Sequence, residues 1–146
     1  MMITSLLDLF DQTVAKHSEC VAVRHNGQKI SFSELQAKAQ EVGEQIARKH
    51  GTLSKQPIAV FLPKEINVVI ADLGIMYACR PFMNLDIKTP MDRIRNILRL
   101  VKPAAVVTSS KYAAIFCEED VDVFDIEAYA YKGEPDTAFL KEIRNR

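Results

Sequence analysis

The sequence predicts an α/β fold in which an N-terminal β-hairpin leads into a mostly parallel sheet with helices on both faces. The dipeptide Asn26-Gly27 lies between two short β-type runs, and it suits a two-residue hairpin turn because both central positions need positive φ. Continuous apolar runs such as 57–62 and 104–108 are typical of strands buried on both faces. Helical patterns separate these runs, and such alternation is typical of a parallel sheet covered by helices.

Helices are predicted on both sides of the hairpin. The first covers residues 5–16, where apolar side chains recur at helical spacing. The second begins with a capping box, Ser31 followed by Glu34, and Ile30 and Leu35 are placed to form a hydrophobic staple. One face of this helix is predicted to be buried, the other to be exposed, and a glycine to end it. These positions are Leu35, Ala39, Val42 and Ile46, then Lys38, Glu41, Gln45 and Lys49, and finally Gly51.

The rest of the chain is predicted to alternate between strands and helices. Strands are expected at 57–62, 81–85, 104–108 and 121–126, and helices at 64–78, between Pro90 and Pro103, and at 110–117. The helix after Pro90 is predicted to turn four apolar side chains towards the core, which are Met91, Ile94, Leu98 and Val101. Beyond residue 127 the pattern weakens, with a turn predicted at 133–136 and a final helix at 138–146.

Length and composition suit one α/β lobe over residues 1–146 that ends in a weakly patterned tail at 127–146. The chain has 146 residues and is 48% hydrophobic, enough for one continuous core. Basic and acidic residues number 19 each, so the zero net charge gives no reason to expect nucleic acid or an anionic membrane as a partner. No apolar run is long enough to span a membrane, and the first residues are acidic where a signal peptide would be basic. We therefore expect a cytoplasmic protein without a membrane partner.

The cysteines and histidines do not predict a metal site. The three cysteines are widely spaced and form no CxxC pair, and the three histidines are scattered, so a zinc site is not expected. These residues are Cys20, Cys79 and Cys117, and His17, His25 and His50. The cysteines are interpreted as reduced, mostly buried thiols.

Ligands of open parallel sheets bind beyond the carboxyl ends of the strands, so the segments after the predicted strands are the first place to search. These segments read PKEI, IKTP and SSKY. None is a glycine-rich phosphate loop, and the chain contains no GxGxxG, GxxxxGK[ST] or GxSxG motif. The sequence therefore predicts no catalytic, cofactor-binding or metal-binding residue within 1–146.

Single residues that could carry chemistry have simpler structural interpretations. Asp86, at a predicted strand end, is expected to close a turn with its own backbone. Cys79 follows an apolar helix, where packing is more common than nucleophilic use.

Two clusters of charged residues also occur in the sequence. Arg95, Arg99 and Lys102 form a basic stripe that could receive a phosphate, although a solvated helix face is the commoner role of such a stripe. An acidic patch comprises Glu118, Glu119, Asp120 and Asp122. Alternating exposure along a strand explains Asp122 without a metal.

Four segments, taken together and in order, resemble a known family. They are LLDLFDQTVAKHSECVAV, ISFSEL, IMYACRPFMNLDIKTPMDRI and KPAAVVTS. Over roughly residues 5–110 the chain is similar to the N-terminal part of the AMP-forming, carboxylate-adenylating enzymes. This superfamily includes acyl- and aryl-CoA synthetases, nonribosomal peptide synthetase adenylation domains, D-alanine–carrier-protein ligases and luciferases. The opening helix, the hairpin and the helix after Pro90 look closer to the amino-acid-adenylating members.

The chain departs from the family pattern at three positions. Cys79 and Arg80 stand where glycine and a small residue are common, and Asn84 stands where proline is usual. Because glycine allows a close backbone turn, Cys79 is expected to impose a wider turn or to shift a neighbour.

The resemblance implies that this chain is the scaffold portion of a larger adenylation domain. In the family the phosphate loop, the adenine, magnesium and ribose contacts and the catalytic lysine come later in the chain, so no catalytic residue is carried over. ATP and Mg²⁺ are implied for the full-length parent, and the rest of the parent polypeptide is the implied partner. Apolar surface facing a missing lobe would be exposed, which predicts a homodimer.

Two alternatives stay open from the sequence. One is a free-standing, noncatalytic module that binds a protein partner or a small ligand. The other is an unrelated flavodoxin-like domain, which fits poorly because of the hairpin at 26–27 and the missing phosphate-pocket residues.

Overall fold

The computed structural model describes residues 6–51 and 55–145. The helices are α1 (Leu6–His17), α2 (Phe32–His50), α3 (Ile66–Tyr77), α4 (Met91–Val101), α5 (Ser110–Ala113) and α6 (Thr137–Arg144), and a 3₁₀ turn spans Ala114–Phe116. The strands are β1 (Val21–His25), β2 (Gln28–Ser31), β3 (Ile58–Phe61), β4 (Phe82–Leu85), β5 (Ala105–Thr108) and β6 (Asp122–Asp125). The predicted order of elements is confirmed, and the ends of the predicted first and last helices, Ser5 and Arg146, lie outside the described residues.

The β-hairpin and the parallel sheet are both confirmed. Strands β1 and β2 pair antiparallel, and Asn26 and Gly27 between them have φ of 49° and 78°, as the hairpin turn requires. The second sheet has the strand order β4-β3-β5-β6, and every pairing in it is parallel. The central strand β3 is buried along its whole length.

Two apolar clusters cover the two faces of this sheet. Alternate residues of β3 point to opposite faces, and Ile58 and Val60 belong to an apolar cluster that also contains residues of α1, α2, α3 and α6. Ala59 and Phe61 pack on the other face with Ile94 of α4 and with Phe116. The predicted arrangement of helices on both faces is therefore confirmed.

Helices α2 and α3 approach each other so closely that glycine is required at the contact. A Cβ built on Gly43 would lie 2.6 Å from the carbonyl oxygen of Gly74, and a Cβ on Gly74 would lie 2.8 Å from Cγ1 of Val42. Contacts this short do not occur with real side chains, so an alanine at either position would push the helices apart.

The predicted exposed face of α2 is wrong at one residue, Glu41, which is only 3% exposed. Its Oε1 accepts hydrogen bonds from the Tyr129 hydroxyl at 3.2 Å and the Lys132 N–H at 2.7 Å, and its Oε2 accepts one from the Gly133 N–H at 2.8 Å. Helical spacing could not predict this burial, because the covering segment comes from a distant part of the chain.

Helix α6 is tied to α1 by a polar cluster. The Arg144 guanidinium donates to Asp11 Oδ2 at 2.9 Å and forms a second ion pair with Asp8. The Tyr77 hydroxyl donates to Asp11 Oδ1 at 2.6 Å, which brings α3 into the same cluster. The cluster therefore links α1, α3 and α6 through their side chains.

Two further expectations about burial are corrected. Val101, predicted to face the core, is 40% exposed because it is the last residue of α4, where the helix leaves the core. The three cysteines, predicted to be mostly buried, are exposed. All of them lie in turns or bends between elements rather than on a packed face.

The turn after α3 is tight, contrary to the expectation that Cys79 would widen it. Cys79 adopts φ of 60°, the left-handed conformation that usually belongs to glycine. Its N–H bonds the Met76 carbonyl at 2.9 Å, and the Arg80 N–H bonds the Ile75 carbonyl at 3.2 Å. These two bonds form the Schellman motif that ends many helices, so the side chain is accommodated at the cost of backbone strain.

The next residue, Arg80, is buried and closes the end of α2. Its guanidinium donates to the carbonyl oxygens of His50 at 2.5 Å, Gly51 at 3.0 Å and Gln56 at 2.9 Å. Burial lowers the pKa of Arg80, although arginine stays charged in proteins. The large side chain therefore fills a structural role where the family commonly has a small residue.

Replacing Cys79 with glycine is expected to raise the free energy of unfolding by about 0.5–1 kcal/mol, because glycine adopts the left-handed conformation without a Cβ clash. Urea denaturation of the reduced protein measures the change. The control is Cys79→Ala, which also removes the thiol but keeps the Cβ. An equal gain from the alanine variant would contradict the strain argument.

Replacing Glu41 with alanine is expected to lower the free energy of unfolding by about 2–3 kcal/mol, because the N–H groups of Lys132 and Gly133 lose a charged acceptor. The control is Gln45→Ala on the same helix, which should change stability by less than about 0.5 kcal/mol. Urea denaturation gives both values, and amide hydrogen exchange should speed up at Lys132 and Gly133 only in the first variant. Equal effects of the two substitutions would rule out the anchoring role of Glu41.

Candidate functional site

The carboxyl edge of the parallel sheet is where an α/β fold of this kind places a ligand. The chain adds β4 on one side of β3 and β5 on the other, so the topological switch point lies between the ends of β3 and β5. There the Thr108 hydroxyl donates to the Phe61 carbonyl oxygen at 2.6 Å, and both Leu62 and Ser109 are buried. The switch point is therefore filled by the protein's own atoms.

A cleft of about 680 Å³ opens next to this point, beside the ends of β3 and β4. It is lined by Leu62, Pro63, Lys64, Val68, Asn84, Leu85, Asp86, Ile87 and Lys88. Its charged side chains are the two lysines and one carboxylate. A second cleft of about 350 Å³ adjoins it along residues 84–90 and reaches Arg93 and Ile97 of α4.

Two carboxylates at this edge, those of Asp86 and Asp125, bind the backbone of their own turns. Asp86 Oδ1 accepts the Lys88 N–H at 2.8 Å, which confirms the predicted turn. At the end of β6, Asp125 Oδ1 accepts the N–H groups of Glu127 and Ala128, both at 3.0 Å. Its Oδ2 accepts the Ser110 hydroxyl at 2.7 Å. Both acids therefore shape loops, and their oxygens do not converge on a shared point.

The basic stripe lies at the opposite end of the sheet. Arg95, Arg99 and Lys102 line a cleft of about 480 Å³ together with Gln56, Leu98, Pro103, Glu119 and Asp120. Arg95 is paired with Glu119 at 3.0 Å and with Asp92 at 3.7 Å. The adjacent acids offset part of the positive charge, and the stripe is not joined to the carboxyl edge.

The acidic patch is dispersed by its pairings. Glu119 is paired with Arg95, whereas Asp122 lies 3.9 Å from both Lys49 Nζ and His50 Nε2. Glu118 and Asp120 are exposed. Within 6–51 and 55–145, no three acidic, histidine or cysteine side chains are grouped so that they could hold a metal ion.

The groups whose pKa values are shifted by the local environment include Cys79, His50 and Asp72. Partial burial of the thiol raises the pKa of Cys79, although the residue as a whole is exposed, and the charge of Arg144 acts in the other direction. The thiolate nucleophile is therefore disfavoured. Burial lowers the pKa of His50 despite the nearby Asp122 carboxylate. Burial also raises the pKa of Asp72, although a hydrogen bond from Asn84 acts in the other direction. These shifts arise at separate places and do not mark one reactive centre.

No sequence pattern singles out Lys64 and Lys88, the two lysines of the 680 Å³ cleft. Both belong to the post-strand segments PKEI and IKTP, so their position after a strand was visible. What the sequence could not show is that the two segments lie next to each other, which depends on the pairing of β3 with β4.

No helix in the described part of the chain is both long enough and apolar enough to span a membrane.

Curated relatives match a large part of this chain but only a small part of their own length. A nonribosomal peptide synthetase of Aspergillus aculeatus is 30% identical over 104 residues, which cover 70% of this chain and 6% of that protein. Bacitracin synthase 1 of Bacillus licheniformis is 29% identical over 125 residues, which cover 85% of this chain and 2% of that protein.

Solved structures share the fold at low sequence identity. A four-domain nonribosomal peptide synthetase bound to AMP and glycine superposes with a TM-score of 0.79 at 20% identity, covering 97% of this chain and 10% of that one. The o-succinylbenzoate coenzyme A synthetase of Bacillus subtilis in complex with AMP superposes with a TM-score of 0.72 at 20% identity. That match covers 84% of this chain and 33% of the synthetase.

The family model described as AMP-binding enzyme matches residues 10–141. This match includes both the hairpin and the parallel sheet, and it extends past the segments that first suggested the resemblance. The chain belongs to the AMP-binding enzyme family.

Proposed function

We propose that this chain is the N-terminal scaffold portion of an ATP-dependent, AMP-forming ligase that activates a carboxylate or an amino acid. The observation that carries the proposal is the way the chain matches its relatives. It superposes almost completely on one tenth of a four-domain synthetase, and it spans about 2–6% of the curated synthetases described above. A lobe that forms so small a share of its relatives is best understood as part of a larger catalytic body.

The chain alone is proposed to be catalytically incompetent. Formation of an acyl-adenylate brings two anions together, so it needs cations and backbone amides directed at the phosphates. At the carboxyl edge, Asp86 and Asp125 are held by their own turns, and the switch point is filled. The 680 Å³ cleft is lined by two lysines and one carboxylate, Asp86, and no cluster of three metal-ligating side chains occurs in the described residues.

ATP and Mg²⁺ belong to the proposed full-length parent, not to this chain. Support for this assignment of Mg²⁺ comes from residues 6–51 and 55–145, among which no three metal-ligating side chains are grouped. No reaction step is therefore assigned to residues of this chain. Location in the cytoplasm, where ATP is supplied, is part of the same proposal.

The proposed partner is the remainder of the parent polypeptide, with residues 1–146 acting as one lobe. The weakly patterned segment 127–146 is included in the lobe, since Glu41 and Arg144 tie it to α2 and α1. A homodimer is a second proposed assembly, supported by large apolar side chains at the surface. Those side chains include Leu6, Leu9, Phe82, Leu100, Val101 and Ile115.

A free-standing, noncatalytic binding module is the alternative function. Its support is the covered sheet: each face has its own apolar cluster, and α6 closes the lobe against α1. Reading the source gene past codon 146 separates the two proposals. Continuation into a Ser/Thr/Gly-rich loop that ends in Lys and Gly would support the ligase, and a stop codon would support the module.

The purified chain is expected to show no exchange of labelled pyrophosphate into ATP with any amino acid or acyl acid in the presence of Mg²⁺. The proposed physical reason is that the carboxyl edge formed by the described residues has neither a glycine-rich phosphate loop nor a metal-ligand cluster to stabilise the charge of the adenylate-forming step. A complete amino-acid adenylation domain, assayed in parallel, is the positive control. Exchange that depends on one particular carboxylate would overturn the proposal that the chain is inactive alone.

A further inference from the structure

Strand β4 forms an open edge of the parallel sheet. It pairs with β3 on one side, and no strand of the described chain pairs with it on the other. Phe82, its first residue, is 41% exposed. An unpaired edge offers a row of backbone N–H and C=O groups to another strand.

The register shows which groups face outwards. Ile58 pairs with Phe82, and the Ile58 N–H bonds the Pro81 carbonyl oxygen at 2.9 Å. In a parallel ladder the backbone groups of alternate residues point to the same neighbour, so those of Met83 and Leu85 point towards β3. The N–H and C=O groups of Phe82 and Asn84 therefore point away from the sheet.

The two edges of the sheet differ in charge. Strand β6, the opposite edge, has Asp122 and Asp125 at its ends, and such charges are a common means of preventing edge pairing. Strand β4 reads Phe-Met-Asn-Leu and carries no charge. Pairing of β6 with itself would bring like charges together, whereas pairing of β4 with itself would not.

We propose that β4 is a self-pairing surface, through which two copies of the chain join their parallel sheets by antiparallel pairing of β4 with β4. This inference rests on the homodimer proposed above and specifies its contact. Pairing of β4 with β6 of another copy would be head-to-tail. It would leave a free edge at each end of the assembly and would build open chains. Pairing of β4 with β4 instead gives a closed dimer with two-fold symmetry.

Symmetry also restricts the register. A two-fold axis perpendicular to the joined sheet keeps each face on its own side, so residues opposite each other must belong to the same face. With the axis at Met83, Phe82 of one copy lies opposite Asn84 of the other. This register pairs every outward N–H and C=O group of the strand. An axis at Asn84 would leave Phe82 to pair with Asp86, whose carbonyl oxygen already accepts the Thr89 N–H at 2.9 Å.

The decisive variant is Asn84→Pro, which removes one outward N–H from each copy and leaves the ladder with β3 intact, as proline is tolerated on edge strands. The matched control is Asn84→Ala, which removes the side chain but keeps the N–H. Sedimentation equilibrium of the 146-residue chain without nucleotide measures the dimer dissociation constant. A contact of two short strands is small, so the dimer is expected to be weak. Asn84→Pro is expected to weaken it at least about tenfold, and Asn84→Ala by much less.

Amide hydrogen exchange of the unmodified chain gives a second measurement that does not depend on a variant folding. On raising the protein concentration, protection should increase at Phe82 and Asn84, while Met83 and Leu85 should be protected at all concentrations. A chain that stays monomeric, or a dimer that Asn84→Pro does not weaken, would overturn the proposal. Because no nucleotide or carboxylate is present, either result leaves the ligase proposal to its own assay.

Discussion

The close contact between α2 and α3 is the constraint on which the rest of the lobe depends. Gly43 and Gly74 let the two helices meet almost backbone to backbone, and together they cover one face of the sheet. The hairpin, α1 and α6 contact this pair of helices. A side chain at the contact would displace the whole layer, because packed interiors do not absorb such volume changes.

Buried charge is added to this apolar arrangement only where the backbone needs an acceptor or a donor. Glu41 receives backbone N–H groups of the 129–133 segment, and Arg80 supplies donors to carbonyl groups at the end of α2. Each charge is compensated by several hydrogen bonds, which is the condition for burying it without a large loss of stability. The chain thus uses its few buried ions to join segments that have no strong pattern of their own.

The elements of the fold could be predicted because their signals are local. The Asn26-Gly27 turn, the Ser31 cap and the apolar run 57–62 each depend on neighbours in sequence, and the structure confirms all three. The failures arose where distant segments meet. Helical spacing placed Glu41 in solvent because the segment that covers it, 129–133, is distant in sequence. Cys79 was expected to widen a turn, but the helix-ending hydrogen bonds hold it in a glycine-like conformation.

At the candidate site, too, local features could be predicted and contacts between distant segments could not. The predicted turn at Asp86 needed only its own loop, and the structure contains it. The cleft between the segments after β3 and β4 required knowledge of strand order, which no single segment carries. The prediction that residues 1–146 contain no catalytic residue is not tested by the geometry of this chain. An assay of adenylation activity is needed to test it.

The ion pair between Asp8 and Arg144 joins residues that are 136 positions apart in sequence. Closing so long a stretch of chain costs conformational entropy, and the apolar core between the two helices offsets that cost. We therefore expect this pair to form late in folding, after the core that brings α1 and α6 within reach of each other.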